Sequence, residues 1–207
     1  MGAPAAQATS RMSNAARILS VLDGLLTKEA KLIIYGRAAI ALGFANPPEA
    51  TLRSLDVDAL LSTSYETAFA DTPEFWDAQA ELNRLLERDG LYMTHIFPAD
   101  MVFLRPQWES EIVPTLRPAL KHLRLFRPAT LDLLLTKMMR GNDEQDMQDI
   151  DFLMRHDRLT RPQIEGAFAE AVIPDNQELR DAFARAQPTV LSLATKAAGD
   201  GYSLSAR

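Results

Sequence analysis

The chain contains no cysteine, which excludes disulfides and cysteine-bound zinc and fits a reducing compartment. It also lacks any run approaching the roughly 18 consecutive apolar residues that a membrane-spanning helix needs. The stretch from Met1 to Ser10 is alanine-rich and uncharged, without the basic start and apolar centre of a secretory signal. These absences predict a cytoplasmic protein with no membrane partner. Basic residues are the minority, 22 Lys and Arg against 28 Asp and Glu for a net charge of -6. An acidic chain does not bind nucleic acid over its whole surface, because phosphate contacts need clustered cations, so only a local basic patch remains available. No internal repeat, coiled-coil heptad or low-complexity tract interrupts the chain beyond its alanine-rich ends.

What is present is ordinary globular material. Of the 207 residues, 47% are hydrophobic and 24% charged, enough to bury one substantial core and too few residues for two large ones. Ser13 or Asn14 caps a helix carrying Ile18, Leu19, Leu22, Leu25 and Leu26 at three- and four-residue spacings. Lys31–Tyr35 is a short apolar run closed by Gly36, the pattern of a buried strand with a tight exit. Arg37–Gly43 suits a short helix, broken by Asn46-Pro47-Pro48. A helix over Trp76–Arg88 ends at Gly90, and two strands follow, Leu91–Phe97 and Met101–Leu104. Leu120–Phe126 reads as a strand or a helical turn. Helices are then expected from Thr130 to about Met139, from Glu144 to Met154 and after Thr160. The pattern predicts an α/β (α+β) fold with a mainly helical second half. Its expected divisions are an unstructured start over 1–12, an α/β core over 13–126, a helical extension packed on that core over 127–197, and a frayed tail over 198–207.

The chemistry concentrates in Ser54-Leu55-Asp56-Val57-Asp58-Ala59. Strand periodicity puts Asp56 and Asp58 on one face and Leu55, Val57 and Ala59 on the other. Two carboxylates on one face suit a hard divalent cation, Mg2+ or Mn2+, held together with substrate phosphates. A two-metal arrangement needs a third acid, for which Asp100 is the candidate if Asp100–Phe103 runs beside the Asp56–Asp58 strand. A turn-capping role is the more ordinary account of Asp100. Gly36 lets backbone approach a phosphate, and the helix beginning after it offers N–H groups to an anion.

A glycine turn opening a helix, here Tyr35-Gly36-Arg37-Ala38-Ala39, followed by an Asp-x-Asp strand, here Leu55-Asp56-Val57-Asp58, resembles the nucleotidyltransferase superfamily. Within it the chain looks most like the abortive-infection, toxin-type nucleotidyltransferases, through the leading helix, Arg53–Asp58, and the later block Pro128–Arg140 followed by Asp146–Ile150. The resemblance spans roughly Arg17 to Leu153. It implies a mixed sheet flanked by helices, and transfer of a nucleoside monophosphate from Mg-NTP to an RNA (tRNA) or protein hydroxyl, with an antitoxin as a further partner. It also implies that Lys137 and Asp146 or Asp149 face the nucleotide site, Lys137 meeting phosphate and Asp149 orienting it or assisting the acceptor.

One position departs from the family pattern. Arg37 stands where a second small residue is expected, and its guanidinium either binds phosphate or fills the site and leaves a catalytically silent, regulatory fold. Lys121, Arg124 and Arg127, with Arg105 and Arg117 upstream, form the best local basic patch for an RNA acceptor, with a charge-protected strand edge as the alternative. His95, His122 and His156 lack zinc spacing, and Trp76, Trp108, Phe97 and Phe103 read as packing residues.

Overall fold

A computed structural model describes residues 12–61, 73–116 and 118–202. Helix α1 (Asn14–Leu25) starts where Ser13 accepts a hydrogen bond from the Ala16 amide, and it buries Ile18, Leu19 and Leu22. Strand β1 (Ala30–Tyr35) runs into α2 (Gly36–Gly43), and a one-turn helix α3 (Glu49–Leu52) leads to β2 (Asp56–Leu61). Helix α4 (Pro73–Leu86) ends in a 3-10 turn at Gly90, whose φ of 65° suits glycine. After β3 (Tyr92–Pro98) come irregular turns, the short β4 (Val113–Pro114) and β5 (Leu123–Arg127). Four helices follow among the described residues: α5 (Thr130–Thr136), α6 (Glu144–Asp157), α7 (Arg161–Glu170) and α8 (Gln177–Tyr202).

Among the described residues, five strands form one mixed sheet in the order β3-β2-β1-β5-β4. β1 pairs antiparallel with β2, in register Ile33 to Leu60 and Tyr35 to Asp58, and parallel with β5. β2 pairs parallel with β3. Alternation sorts the side chains: Leu32, Ile34, Val57, Ala59, Met93 and Leu125 join the main core, while Ile33 and Leu60 belong to a second cluster with Val102, Leu104 and Trp108. Each fully buried Leu or Ile in these layers contributes about 1.5–3 kcal/mol. Leu133, Leu134, Ile150, Leu153, Ile164 and Val190 lie in the same main core as α1 and the sheet, so the C-terminal helices complete the hydrophobic interior of the strands.

Polar groups pin this arrangement. Asp23 on α1 accepts from the backbone amides of Lys121 at 2.9 Å, His122 at 2.6 Å and Leu123 at 2.8 Å, anchoring the start of β5. Burial raises the Asp23 carboxyl, but the three amides outweigh burial and hold it below its ordinary value. On edge strand β3, Asn83 of α4 exchanges two hydrogen bonds with Met93 (2.8 and 3.0 Å), occupying backbone groups that would otherwise invite another strand. Asp132, fully buried, accepts from the Arg105 amide at 2.8 Å and from its guanidinium at 2.7 Å.

Several expectations need correction. Met101–Leu104 is no strand: Ala99–Met101 is a 3-10 turn, and only Leu104 makes an isolated bridge, to Val172. Pro98 ends the ladder by lacking a donor. Helix α5 stops at Thr136, before Met139, because the chain turns through 137–140 to Gly141 (φ 70°). β4 and α3 are too short to leave a periodic signal. The expected start over 1–12, except Met12, and the tail from 203 onward lie outside the described residues.

Candidate functional site

The site lies where β1 ends and β2 begins. The chain leaves the sheet at Tyr35 and enters α2 through Gly36, whose φ of 65° costs a residue with a Cβ about 1–2 kcal/mol. A Cβ on Gly36 would sit 3.6 Å from Asp58 Oδ2, so the open side of the turn faces that carboxylate. The first amides of α2 have no intrahelical acceptor and end at the same place.

Asp56 and Asp58 share a face of β2 with Leu60, as alternation requires, and both are half-buried. Each has one oxygen tethered by a hydroxyl. Ser54 donates to Asp56 Oδ1 at 2.8 Å, and Thr94 of β3 donates to Asp58 Oδ1 at 2.5 Å. Burial lifts the Asp58 carboxyl above its ordinary value; the Thr94 hydroxyl opposes this, Asp56 adds to it, and Lys137 opposes it. Tyr35, opposite Asp58 across the ladder, has its phenol pushed up by burial and by the charges of Asp58 and Asp56, and stays protonated.

The turn after α5 and the first turns of α6 bring the remaining charges. Lys137 is 6% exposed and places Nζ 2.7 Å from Asp149 and 3.0 Å from Asp146. Arg140 donates to the other Asp146 oxygen at 2.6 Å and to Asp143 at 3.1 Å, while Asp143 caps α6 through the Asp146 amide. Arg37 reaches across from α2: its Nε lies 3.1 Å from Asp149 Oδ2. The Gln145 carboxamide, oxygen inward, accepts from the same guanidinium at 2.9 Å. Asp149 therefore bridges two cations from different segments.

The structure thus gathers Gly36, Arg37, Asp56, Asp58, Lys137, Asp146 and Asp149 around one end of the sheet. It does not bring Asp100 there. The β2–β3 register runs from Asp56 opposite Tyr92 to Leu61 opposite Pro98, so Asp100 lies past the far end of β2, exposed in a 3-10 turn. The residue delivered beside Asp58 is Thr94. Among the described residues no group of three or more His, Asp or Glu stands together for a metal ion. Asp56 and Asp58 are oxygen donors of the type a hard cation takes, and among the described residues neither Oδ2 has a hydrogen-bond partner, so the pair fits one such ion.

Folding draws two cations of the basic patch inward and leaves Lys121 and Arg124 exposed. Arg105 and Arg127 are buried, Arg105 against Asp132 and Glu111 and Arg127 over the Phe44 ring at 4.0 Å. Arg124 pairs with Glu29 at 2.9 Å, and Arg117 lies outside the described residues. Sequence reading missed Thr94, Tyr35 and Gln145, none of which carries a spacing signal; each acquires its place from a tertiary neighbour. Comparison of the chain with protein-family models, with curated proteins and with solved structures finds no match.

Proposed function

We propose that the protein is a metal-dependent nucleotidyltransferase that moves a nucleoside monophosphate from an NTP to a hydroxyl acceptor on RNA or protein. The observation that carries this reading is the convergence of three separate segments: the Gly36 turn, the Asp56–Asp58 pair that faces it, and the Lys137–Asp149 pair whose ammonium is felt at Asp58. In this reading the first-turn amides of α2 receive the phosphate chain, with Gly36 leaving room for its approach. Asp56 and Asp58 hold Mg2+ or Mn2+ through their untethered oxygens. The bound ion supplies charge neutralisation on the phosphates and a lowered pKa for the attacking hydroxyl. Lys137 donates to Asp146 and pairs with Asp149 at 2.7 Å, and the ammonium keeps donor capacity for phosphate. Asp149 orients Lys137 rather than reaching the acceptor, since Arg37 occupies its second side.

The test is transfer of label from α-labelled NTPs into total RNA and into protein, comparing wild type with Asp56→Asn/Asp58→Asn. Label that requires both aspartates supports transfer and identifies the acceptor class. Label retained by the variant removes this mechanism.

A second reading keeps the fold as a catalytically silent binding module, such as the partner of an antitoxin. The observation in its favour is Arg37, which fills the small-residue position of the turn and is locked to Asp149 and Gln145. It predicts that Mg2+ and NTP fail to bind together.

A further inference from the structure

Asp58 is met from the neighbouring strand by an irregularity that puts a hydroxyl where a regular ladder would not. The β2–β3 register steps from Val57 opposite Met93 to Ala59 opposite Ile96. Two residues, Thr94 and His95, therefore oppose the single residue Asp58, which is a β-bulge; bulges re-aim side chains and recur beside active sites. The bulge is anchored from its outer side. Asn83 of α4 accepts from the Met93 amide at 2.8 Å and donates to the Met93 carbonyl at 3.0 Å, and Gln79, buried on the same helix, donates to the Thr94 carbonyl. With its backbone held there, Thr94 places Oγ1 2.5 Å from Asp58 Oδ1 and 3.2 Å from the Val57 carbonyl.

A carboxylate attached through two rotatable bonds and half-exposed has several orientations. A short hydrogen bond to Oδ1 selects one, and in that orientation Oδ2 looks at the open side of the Gly36 turn. Ser54 holds Oδ1 of Asp56 in the same manner. Both acids are therefore pre-oriented by hydroxyls that take no charge from them, which leaves the second oxygen of each free to ligate.

We infer that Thr94 is a positioning residue: delivered by the β3 bulge, its hydroxyl fixes Asp58 so that Oδ2 is presented to a divalent cation at the Gly36 turn. This rests on the reading of Asp56 and Asp58 as cation ligands. The competing role is a strand pin, in which the hydroxyl serves the Val57 carbonyl and only the stability of the β2–β3 pair.

Mn2+ binding to the full chain separates the two roles. Free Mn2+ is followed by its electron paramagnetic resonance signal in wild type, Thr94→Val, Thr94→Ser and Asp58→Asn, with thermal unfolding of each measured alongside. Loss of an orienting partner of a metal ligand typically weakens affinity by about 10- to 100-fold. Thr94→Val is expected to show a loss of that size, Asp58→Asn at least as large a loss, and Thr94→Ser, which restores the hydroxyl, is expected to bind within about threefold of wild type on that scale. Thr94→Val that melts early yet, below its melting temperature, takes up Mn2+ like wild type would overturn the positioning role and leave the strand pin. If Thr94→Val does not fold, Thr94→Ser decides: a loss of about tenfold or more in that folded variant overturns the inference. Wild type that takes up no more Mn2+ than Asp58→Asn overturns the cation site and the positioning role together, a result distinct from failure of Thr94 alone.

Discussion

Arg37 and Asp149, 112 positions apart in the chain, meet at 3.1 Å, and the same carboxylate holds Lys137 at 2.7 Å. The start of α2 is thereby tied to α6 and to the turn after α5 by ionic contacts that are almost wholly desolvated. Such pairs add little net stability when intact and are costly to break, because removing one partner strands the other in a poor solvent for charge.

Lys137→Met is therefore expected to lower unfolding stability by about 3 kcal/mol, towards the low end for a broken buried pair. Arg140 still compensates Asp146 and Arg37 still compensates Asp149, which limits the loss. Urea denaturation of the variant checks this, and an unchanged midpoint would mean that the lysine is dispensable to the fold.

Arg37→Ser puts a small hydroxyl residue after Gly36, as the proposed nucleotidyltransferase reading would favour, while releasing Asp149 from one of its two cations. A stability loss of about 2 kcal/mol is expected, the scale of hydrogen bonds to a charged group. Nucleotide binding in the presence of Mg2+, measured by calorimetry on the same variant, distinguishes the two functional readings. Affinity gained on substitution means that the guanidinium closes the wild-type site, and affinity lost means that it serves phosphate.

Gly36→Ala places a Cβ at a left-handed backbone position, facing Asp58 Oδ2 at an ordinary contact distance. The cost is expected to come from the backbone, about 1–2 kcal/mol, and to appear as a lower melting temperature. A variant as stable as wild type would show that the turn relaxes to a conformation alanine accepts.

Asp23 supplies a pH dependence remote from the site. Its folded carboxyl lies below the ordinary range, so its contribution to stability is present above the unfolded value of about 4 and is lost as pH falls through the folded one. Asp23→Ala is expected to cost about 2–3 kcal/mol at pH 7, since three β5-side amides lose a charged acceptor. The gap between variant and wild type should narrow as the solution is acidified below about pH 4. A gap independent of pH would place the effect in packing instead.

Much of the site was legible because its residues sit in strong local patterns. The Asp56–Asp58 alternation and Gly36 after an apolar strand each leave a mark within a few residues, whereas Lys137 and Asp149 are reached only through the family resemblance. Asp100 misled because the expected strand after it depended on Met101–Leu104, an apolar run without the ladder that Pro98 had already ended. The basic cluster misled in another way: charge density along the chain says nothing about which cations fold inward, and Arg105 and Arg127 do.

The sequence alone determined the alternation of β2, the helix starts at Ser13 and Thr160, the stop at Gly90, and the mixture of strands with helices, since hydrophobic period, capping side chains and glycine conformations act over one or two turns. Tertiary structure decided which segments meet. The bulge that sets Thr94 against Asp58, the exchange of Asp149 between Arg37 and Lys137, and the hiding of Arg127 over Phe44 all join residues distant in the chain. Such contacts follow from how the sheet and helices close around one shared core, and no local spacing encodes them.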